Sequence, residues 1–338
     1  MATIGGGVKT LADWAKERDP KGKMGKTVEL LSQTNEILED ALYKEGNQSN
    51  GELVNIRTGL PTAYWRMMNA GTPNSKSTSA QITENCGGLV ARSQVDTEIA
   101  EINGDVKNYR MNEGKAFLEA MNQEMGSTEF YGAASNPEEF VGFANRYSAT
   151  TDANGQNILS AGGAGSDNSS MWLIGWGENT IHNIFPKGSK AGLEHIDRGI
   201  QEVEDDSGNN YMAYVDYWKW KTGLVVKDWR YGVRIPNIDI SDLVSLSTSQ
   251  ATTASTFLPK LMARAIHRLP SRSGIKPAFY ANRTVCSHLT VMAMEKTSSV
   301  LSIEDGLNQF GKDIKTLKFL GIPVRTVDAL TEAEAVVS

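Results

Sequence analysis

No apolar run in this 338-residue chain approaches the roughly 18 to 20 residues that a membrane-spanning helix needs. Cysteine is nearly missing as well. Cys86 and Cys286 are too few and too far apart for a disulfide framework, so a reducing compartment is expected. His182, His195, His267 and His288 show no i,i+4 pairing with one another, and no CxxC accompanies them, so no zinc site assembles. GxSxG is absent, and with it the nucleophile elbow of the hydrolases. A large excess of one charge is also lacking. The 34 Lys and Arg against 40 Asp and Glu leave −6, which argues against a surface built throughout to grip nucleic acid. The opening MATIGGGVKTLADWAKERDPKGK has no apolar centre of signal-peptide type, so the protein is expected to stay in the compartment where it is made.

Three stretches approach binding motifs and fall short. GKMGKT (22–27) ends like a phosphate-binding loop, but Pro20 stands where the first glycine belongs and no buried strand precedes it. GGAGSD (162–167) lacks the dinucleotide-binding spacing and reads as a flexible loop. EVEDDSGNN (202–210) offers Asp205, Asp206 and Asn209 to a cation, but it does not match a calcium loop and reads as a solvated turn between strands. Trp218, Trp220 and Trp229 are read as core and interface packing rather than a base-stacking platform. No catalytic constellation, cofactor site or metal site emerges.

What is present is a soluble composition, 40% hydrophobic and 22% charged, with room for one large or two ordinary domains. Residues 1–26 form a basic arm with six Lys or Arg: Lys9, Lys16, Arg18, Lys21, Lys23 and Lys26. TVELLSQTNEILEDALY, Thr27 to Tyr43, has helical spacing and predicts an amphipathic helix ending near Gly46. Val95, Ile99, Ile102, Val106 and Tyr109 share one helix face, interrupted at Asn103-Gly104. RMNEGKAFLEAMNQEM follows with Phe117, Met121 and Met125 on one stripe, the strongest helix signal in the chain. Residues 148–170 read as a surface loop and MWLIGW as a buried strand. Tyr211 to Ile240 alternates about Thr222-Gly223 and predicts a long β-hairpin. A helix opened by Ser255 stops before Pro270; PAFYA is a strand, Asn282 caps a helix through Met294, and GIPVRTVDAL closes with a strand.

RTGLPTAYWRMMNAGTPNSKSTSAQIT (57–83) is the least enzyme-like stretch. It reads as a hairpin, within about Leu53 to Leu89, around a polar turn at Gly71, Thr72, Pro73 and Asn74. Its first arm carries Trp65, Met67 and Met68; its second is almost wholly Ser, Thr, Lys and Gln and has nothing to bury them against. A strand of ~15 residues spans ~50 Å. A compact chain of this length has a radius of gyration of only ~20 Å, so the hairpin must leave its own domain.

This order of elements resembles the major capsid proteins of tailed phages, with the Hong Kong 97-type fold. The phrases LLSQTNEIL, TGLPTAYWR, FLEAMNQEM, NTIHNIFPKGSKAGL, DWRYGVRIPNIDISDL, FYANRTVCSHL and GIPVRTVDAL are similar to those of short-tailed phage members and extend from about Thr10 to Leu330. The resemblance implies an α+β fold divided into an N-terminal arm and helix (1–48), an extended loop (49–94), a peripheral domain with the spine helix (95–254) and an axial domain (255–338). It implies a non-enzymatic subunit that assembles with itself into hexamers and pentamers of an icosahedral head. The head encloses double-stranded DNA and is built in the bacterial cytoplasm. Trp65, Met67, Met68 and Lys76 would contact a neighbouring subunit, and the six arm cations would face packaged DNA non-specifically. Further implied partners are a separate scaffolding protein, a portal and a cement protein, with no membrane and no cofactor. Because the arm begins at once, either a separate scaffold acts or an N-terminal segment has already been removed. Lys76 stands where cross-linking relatives carry a hairpin lysine, but no Glu or Asn partner is identifiable, and no cross-link is expected. Only fifteen residues follow Pro323, which reads as too few to return to the peripheral domain, so a permuted chain order is expected. Two alternatives stand beside this reading: an encapsulin-like cargo shell, and a hydrolase using carboxylates such as Glu202, Asp205 and Asp206.

Overall fold

The computed structural model describes residues 32–102, 105–205, 208–244, 257–294, 301–307 and 313–338. A short helix α1 (Ile37–Asp40) and strand β1 (Tyr43–Glu45) lead into the paired strands β2 (Gly51–Gly59) and β3 (Thr78–Asn85). Strand β4 (Gly87–Asp96), helix α2 (Thr97–Glu101) and the 26-residue helix α3 (Val106–Tyr131) follow. Asp96 and Asp105 start the two helices: their carboxylates accept from the backbone N–H of Glu98 and Asn108, at 2.8 and 3.2 Å. Beyond a short α4 (Phe143–Arg146) come β5 (Asn168–Trp176), β6 (Ile181–Phe185), β7 (Leu193–Glu204), β8 (Asn210–Val226) and β9 (Gly232–Asp239). The last part holds α5 (Ile240–Val244), α6 (Phe257–Arg268), β10 (Lys276–Ala281), α7 (Arg283–Met294), β11 (Leu301–Leu307), β12 (Asp313–Phe319) and β13 (Ile322–Thr326).

Eleven of the described strands form one sheet, running β11-β12-β13-β10-β5-β6-β8-β4, with β9 on β5, β7 on β8 and β1 on β6. Strand β5 is its centre and is buried along its whole length. Strand alternation sends Met171 and Leu173 to one face and Trp172, Ile174 and Trp176 to the other. The first face is covered by α6 and α7 through Leu258, Leu261, Met262, Val285 and Leu289. The second is covered by the end of α3 and by α4. There Phe130, Phe143 and Trp172 meet with ring centroids 5.7 to 6.0 Å apart, at tilted angles that suit the aromatic quadrupole. Each such ring removes about 150–250 Å² from water, a gross gain of about 4–6 kcal/mol at ~25 cal/mol per Å² before entropy is counted.

Several expectations meet the structure differently. Among the described residues, the helix foreseen through Tyr43 is confined to Ile37–Asp40, because the chain then turns to pair β1 with β6. Val95 ends a strand rather than opening a helix. Part of the foreseen surface loop is internal: Asn157 and Ile158 are buried, and Asn168, Ser169 and Ser170 belong to β5. Tyr211 to Ile240 is not a hairpin. Strand β8 runs straight through Thr222-Gly223, pairing first with β4 and β7 and then with β6, while β9 goes to β5. Gly223 is there for close approach: a Cβ at that position would stand 2.6 Å from the carbonyl oxygen of Asn85.

The premise for a permuted chain also falls. After β13 the short tail does return to the end of α3. Leu330 and Val337 are buried in the core shared with Phe130. Glu334 accepts from Tyr131 Oη at 2.5 Å and from Arg234 Nη2 at 2.8 Å.

Candidate functional site

The loop formed by β2 and β3 is tied to the body only at its root. Arg146, presented by α4, reaches Glu84 on β3 with two parallel hydrogen bonds of 2.6 and 2.8 Å. The same guanidinium donates to the carbonyls of Val141 and Leu224, each at 3.1 Å, so its planar fork is nearly filled. On β2, Glu52 accepts from Lys227 at 2.8 Å and meets His182 Nε2 at 3.2 Å. Burial works against the Glu52 charge, but the hydrogen bonds from Lys227 and His182 outweigh it and hold the carboxyl below its ordinary value. Burial, followed by the Lys227 charge, pushes His182 down, so near neutral pH it meets Glu52 as a neutral Nε2–H donor.

Strand β6 carries the root on one face and α3 on the other. His182 and Ile184 point to the root, where Val54, Ile184 and Val225 form a small buried cluster. Ile181 and Asn183 point the opposite way. There Asn183 donates to Glu129 of α3 at 3.3 Å. Glu129 is completely buried, and that desolvation pushes its carboxyl up to about 8 against the hydrogen bond from Asn183 and the Arg146 charge.

Beyond the root the loop stands clear of the body. Ladder pairing ends at Gly59 and Thr78, and Ser75 then holds the two arms together by donating to the Thr62 carbonyl at 2.9 Å. The reversal lies at Met67–Ala70, where Asn69 takes the left-handed conformation at φ 63°, and not at the Gly71-Asn74 turn that the sequence suggests. Trp65 is fully exposed at 104%, with Met68 at 94% and Met67 at 79%. Lys76 is exposed too, and no described residue of the chain pairs with it. The structure therefore groups Trp65, Met67, Met68 and Lys76 on one projection. Lys9, Lys16, Arg18, Lys21, Lys23 and Lys26 lie outside the described residues.

Sequence reading missed the root altogether. Arg146 and Glu84 are 62 positions apart, and Glu52 and His182 are 130 apart, so no local pattern links them. It also missed a groove between α3 and β7–β8, of about 610 Å³, floored by Trp218 and walled by Met111 and Leu118. Trp218 lies stacked between Phe117 and His195, at 5.7 and 5.2 Å. Arg110 holds Asp216 and Asp197 beside it at 2.8 and 2.7 Å. Among the described residues no His, Cys, Asp and Glu group of three or more could hold a metal ion, and no helix is long and apolar enough to cross a membrane.

The family model of major capsid protein GP7 matches residues 19–338. No curated protein matches the chain. Among solved structures, a chain of bacteriophage epsilon15 is 28% identical with a TM-score of 0.75, covering 100% of this chain and 99% of its own. The bacteriophage JBD30 capsid is 9% identical at a TM-score of 0.47, covering 88% and 91%. The capsid of the native GTA particle is 10% identical at 0.45, covering 65% and 95%; at such scores these two add nothing to the assignment. Neither a bacterial cargo shell nor a carboxylate hydrolase is favoured by these likenesses. With the family matched over nearly its whole length and the epsilon15 chain aligned end to end, the chain belongs to the major capsid protein GP7 family and is a phage capsid protein of the Hong Kong 97-type fold.

Proposed function

We propose that copies of this chain join as hexamers and pentamers into a closed head around double-stranded DNA, and that the loop tip is their main intersubunit clasp. The observation that carries this is the fully exposed Trp65, with Met67 and Met68, on a projection whose own root is already satisfied. Exposed apolar surface of this kind, on a ribbon that is marginal alone in water, is stabilised by a partner. In this reading residues 1–48 are the arm, 49–94 the extended loop, and β4, α3, β7 and β8 the core of the peripheral domain (95–254). Residues 255–338 supply the axial domain, joined to the preceding part of the same chain by the β10–β5 pairing and by the core that Val233 and Ile235 of β9 share with Leu258 and Met262 of α6.

Lys9, Lys16, Arg18, Lys21, Lys23 and Lys26 face packaged DNA through phosphate electrostatics that carry no sequence information. A separate scaffolding protein, a portal and a cement protein complete the partners, and assembly takes place in the host cytoplasm. The subunit is structural rather than catalytic, in keeping with its family. The test replaces residues 60–77 with an Asn-Gly turn, which keeps the β2–β3 ladder. The expected product is a folded subunit that forms no shells in the electron microscope. Normal shells from this variant would refute the role of the loop.

A further inference from the structure

The loop ribbon is not laddered into the body. Strands β2 and β3 form a two-stranded sheet of their own, separate from the eleven-stranded one. Just before β2 the backbone is anchored, with the Gly46 N–H donating to the Phe185 carbonyl at 2.9 Å and the Lys187 N–H to the Gln48 carbonyl at 3.1 Å. Beyond that base, side chains hold β2 against β6: Glu52 with His182 and Lys227, and Val54 packed on Ile184 and Val225. Strand β3 is held by the fork of Arg146 on Glu84. Strand β6 has no freedom to move, because it is paired with β1, β5 and β8.

His182 sits on that fixed strand, wholly buried. Its Nε2 faces Glu52 Oε2 at 3.2 Å, while Nδ1 is buried with no hydrogen-bond partner among the described residues. The other Glu52 oxygen is taken by Lys227 at 2.8 Å. Four charged groups bear on the imidazole: Glu52 from β2, Lys227 from the end of β8, Lys44 from β1 and Glu178 from the β5–β6 turn. Glu178 is exposed and already bonded to Lys44. Cys86, packed beside Val54 and Ile184, is an uncharged thiol. A neutral ring suits this site. A proton taken from solvent on Nδ1 does not: it puts two cations on one carboxylate and creates a buried N–H with no acceptor.

We propose that the root is a hinge with an acid-released latch: protonation of His182 parts β2 from β6, and the ribbon turns about the Arg146–Glu84 fork. Strand β2 is the one that moves, since it lies outside the main sheet, and its departure opens Nδ1–H to water. The fork does not release with it, because a guanidinium keeps its charge throughout this range. Burial, then the Lys227 charge, lowers His182, so the latch is closed near neutral pH and weakens as pH falls below the ordinary histidine value of 6.5. This latch lies within one subunit and stands or falls independently of the intersubunit role of the tip.

The two native thiols of the full chain read the hinge. Cys86 packs in the cluster that joins β2 to β6, and Cys286 packs against the separate core beneath α6 and α7. Burial pushes both thiols up to about 11, so the ratio of their labelling by a pyridyl disulfide, read by peptide mass spectrometry, cancels the effect of pH on thiol reactivity. Between about pH 7 and about pH 5, labelling of Cys86 relative to Cys286 is expected to rise about tenfold or more, the scale of one buried donor without an acceptor. His182→Gln keeps an uncharged N–H donor and should leave the ratio flat. Lys227→Met leaves Glu52 to the imidazolium alone, so its ratio should fall as pH drops; a merely structural role would shift the ratio by the same factor at every pH. A flat ratio in the native chain, an equal rise of both thiols, or a native-like rise in His182→Gln overturns the proposal. Should His182→Gln not fold, Lys227→Met decides: a ratio that still rises in acid refutes the latch.

Discussion

The root and the tip of the extended loop belong to one ribbon yet obey opposite rules. At the root every charged group has a partner: Glu84 with Arg146, and Glu52 with Lys227 and His182. At the tip the large apolar groups have none within the chain's described residues. A root left unpaired would expose the subunit to local unfolding, whereas a tip satisfied at home would have nothing to offer a neighbour. The difference shows how one hairpin is held firmly by its own subunit and still kept open for another.

Three measurements would break or sharpen this contrast. The largest effect is expected at the root. Arg146→Ala strands the mostly buried Glu84 carboxylate and also frees the Leu224 carbonyl, so the free subunit should lose about 3 kcal/mol in denaturant unfolding. A loss below that of a surface substitution would mean that the ion pair does not hold the root.

A pH effect of intermediate size comes from the other face of β6. The folded-state carboxyl of Glu129 is raised to about 8, so its contribution to stability is fully present below the ordinary Glu range and fades as pH rises towards 8. Glu129→Gln, which keeps shape and stays neutral, should remove that decline and melt higher than the native chain at alkaline pH. The root has the opposite sign. Glu52 is held below its ordinary value and His182 is lowered, so stability there falls as pH drops through the histidine and then the carboxylate range. Parallel melting curves for the native chain and Glu129→Gln as pH rises from 4.5 to about 8 would contradict the buried, protonated Glu129.

The smallest effect on folding is expected at the tip. Trp65→Ser should change free-subunit stability by no more than about 0.5 kcal/mol, because the ring touches solvent on all sides. Its shell yield should nonetheless drop. A clear loss of subunit stability would show that Trp65 packs at home.

Local rules made much of this legible in advance. The helical stripe of Phe117, Met121 and Met125 lies within α3, with Met121 and Met125 buried. MWLIGW forms the centre of β5. Asn282 starts α7 by accepting from the Thr284 N–H at 3.0 Å. Trp65, Met67 and Met68 were recognisable as apolar groups with no apolar counterpart nearby in the chain. What misled was the same local grammar used where distance in space decides. Thr222-Gly223 has the composition of a turn, yet Gly223 serves a close passage beside Asn85. Fifteen residues seemed too few for a return, yet Glu334 reaches Tyr131 across 203 positions.

By itself the sequence determined the period of α3, the burial of β5, the Asn282 cap of α7, and the presence of a projecting loop with unmatched apolar groups. Each depends on neighbours within a few positions, where side-chain spacing and backbone geometry act directly. Only the tertiary structure decided that β9 joins β5 and not β8, that Arg146 clamps Glu84, and that His182 and Asn183 serve opposite faces of one strand. Those pairings join residues tens to hundreds of positions apart. Which partners meet is settled by how whole layers pack, because a buried charge or an edge strand is satisfied by whatever group the fold brings within a few ångströms of it.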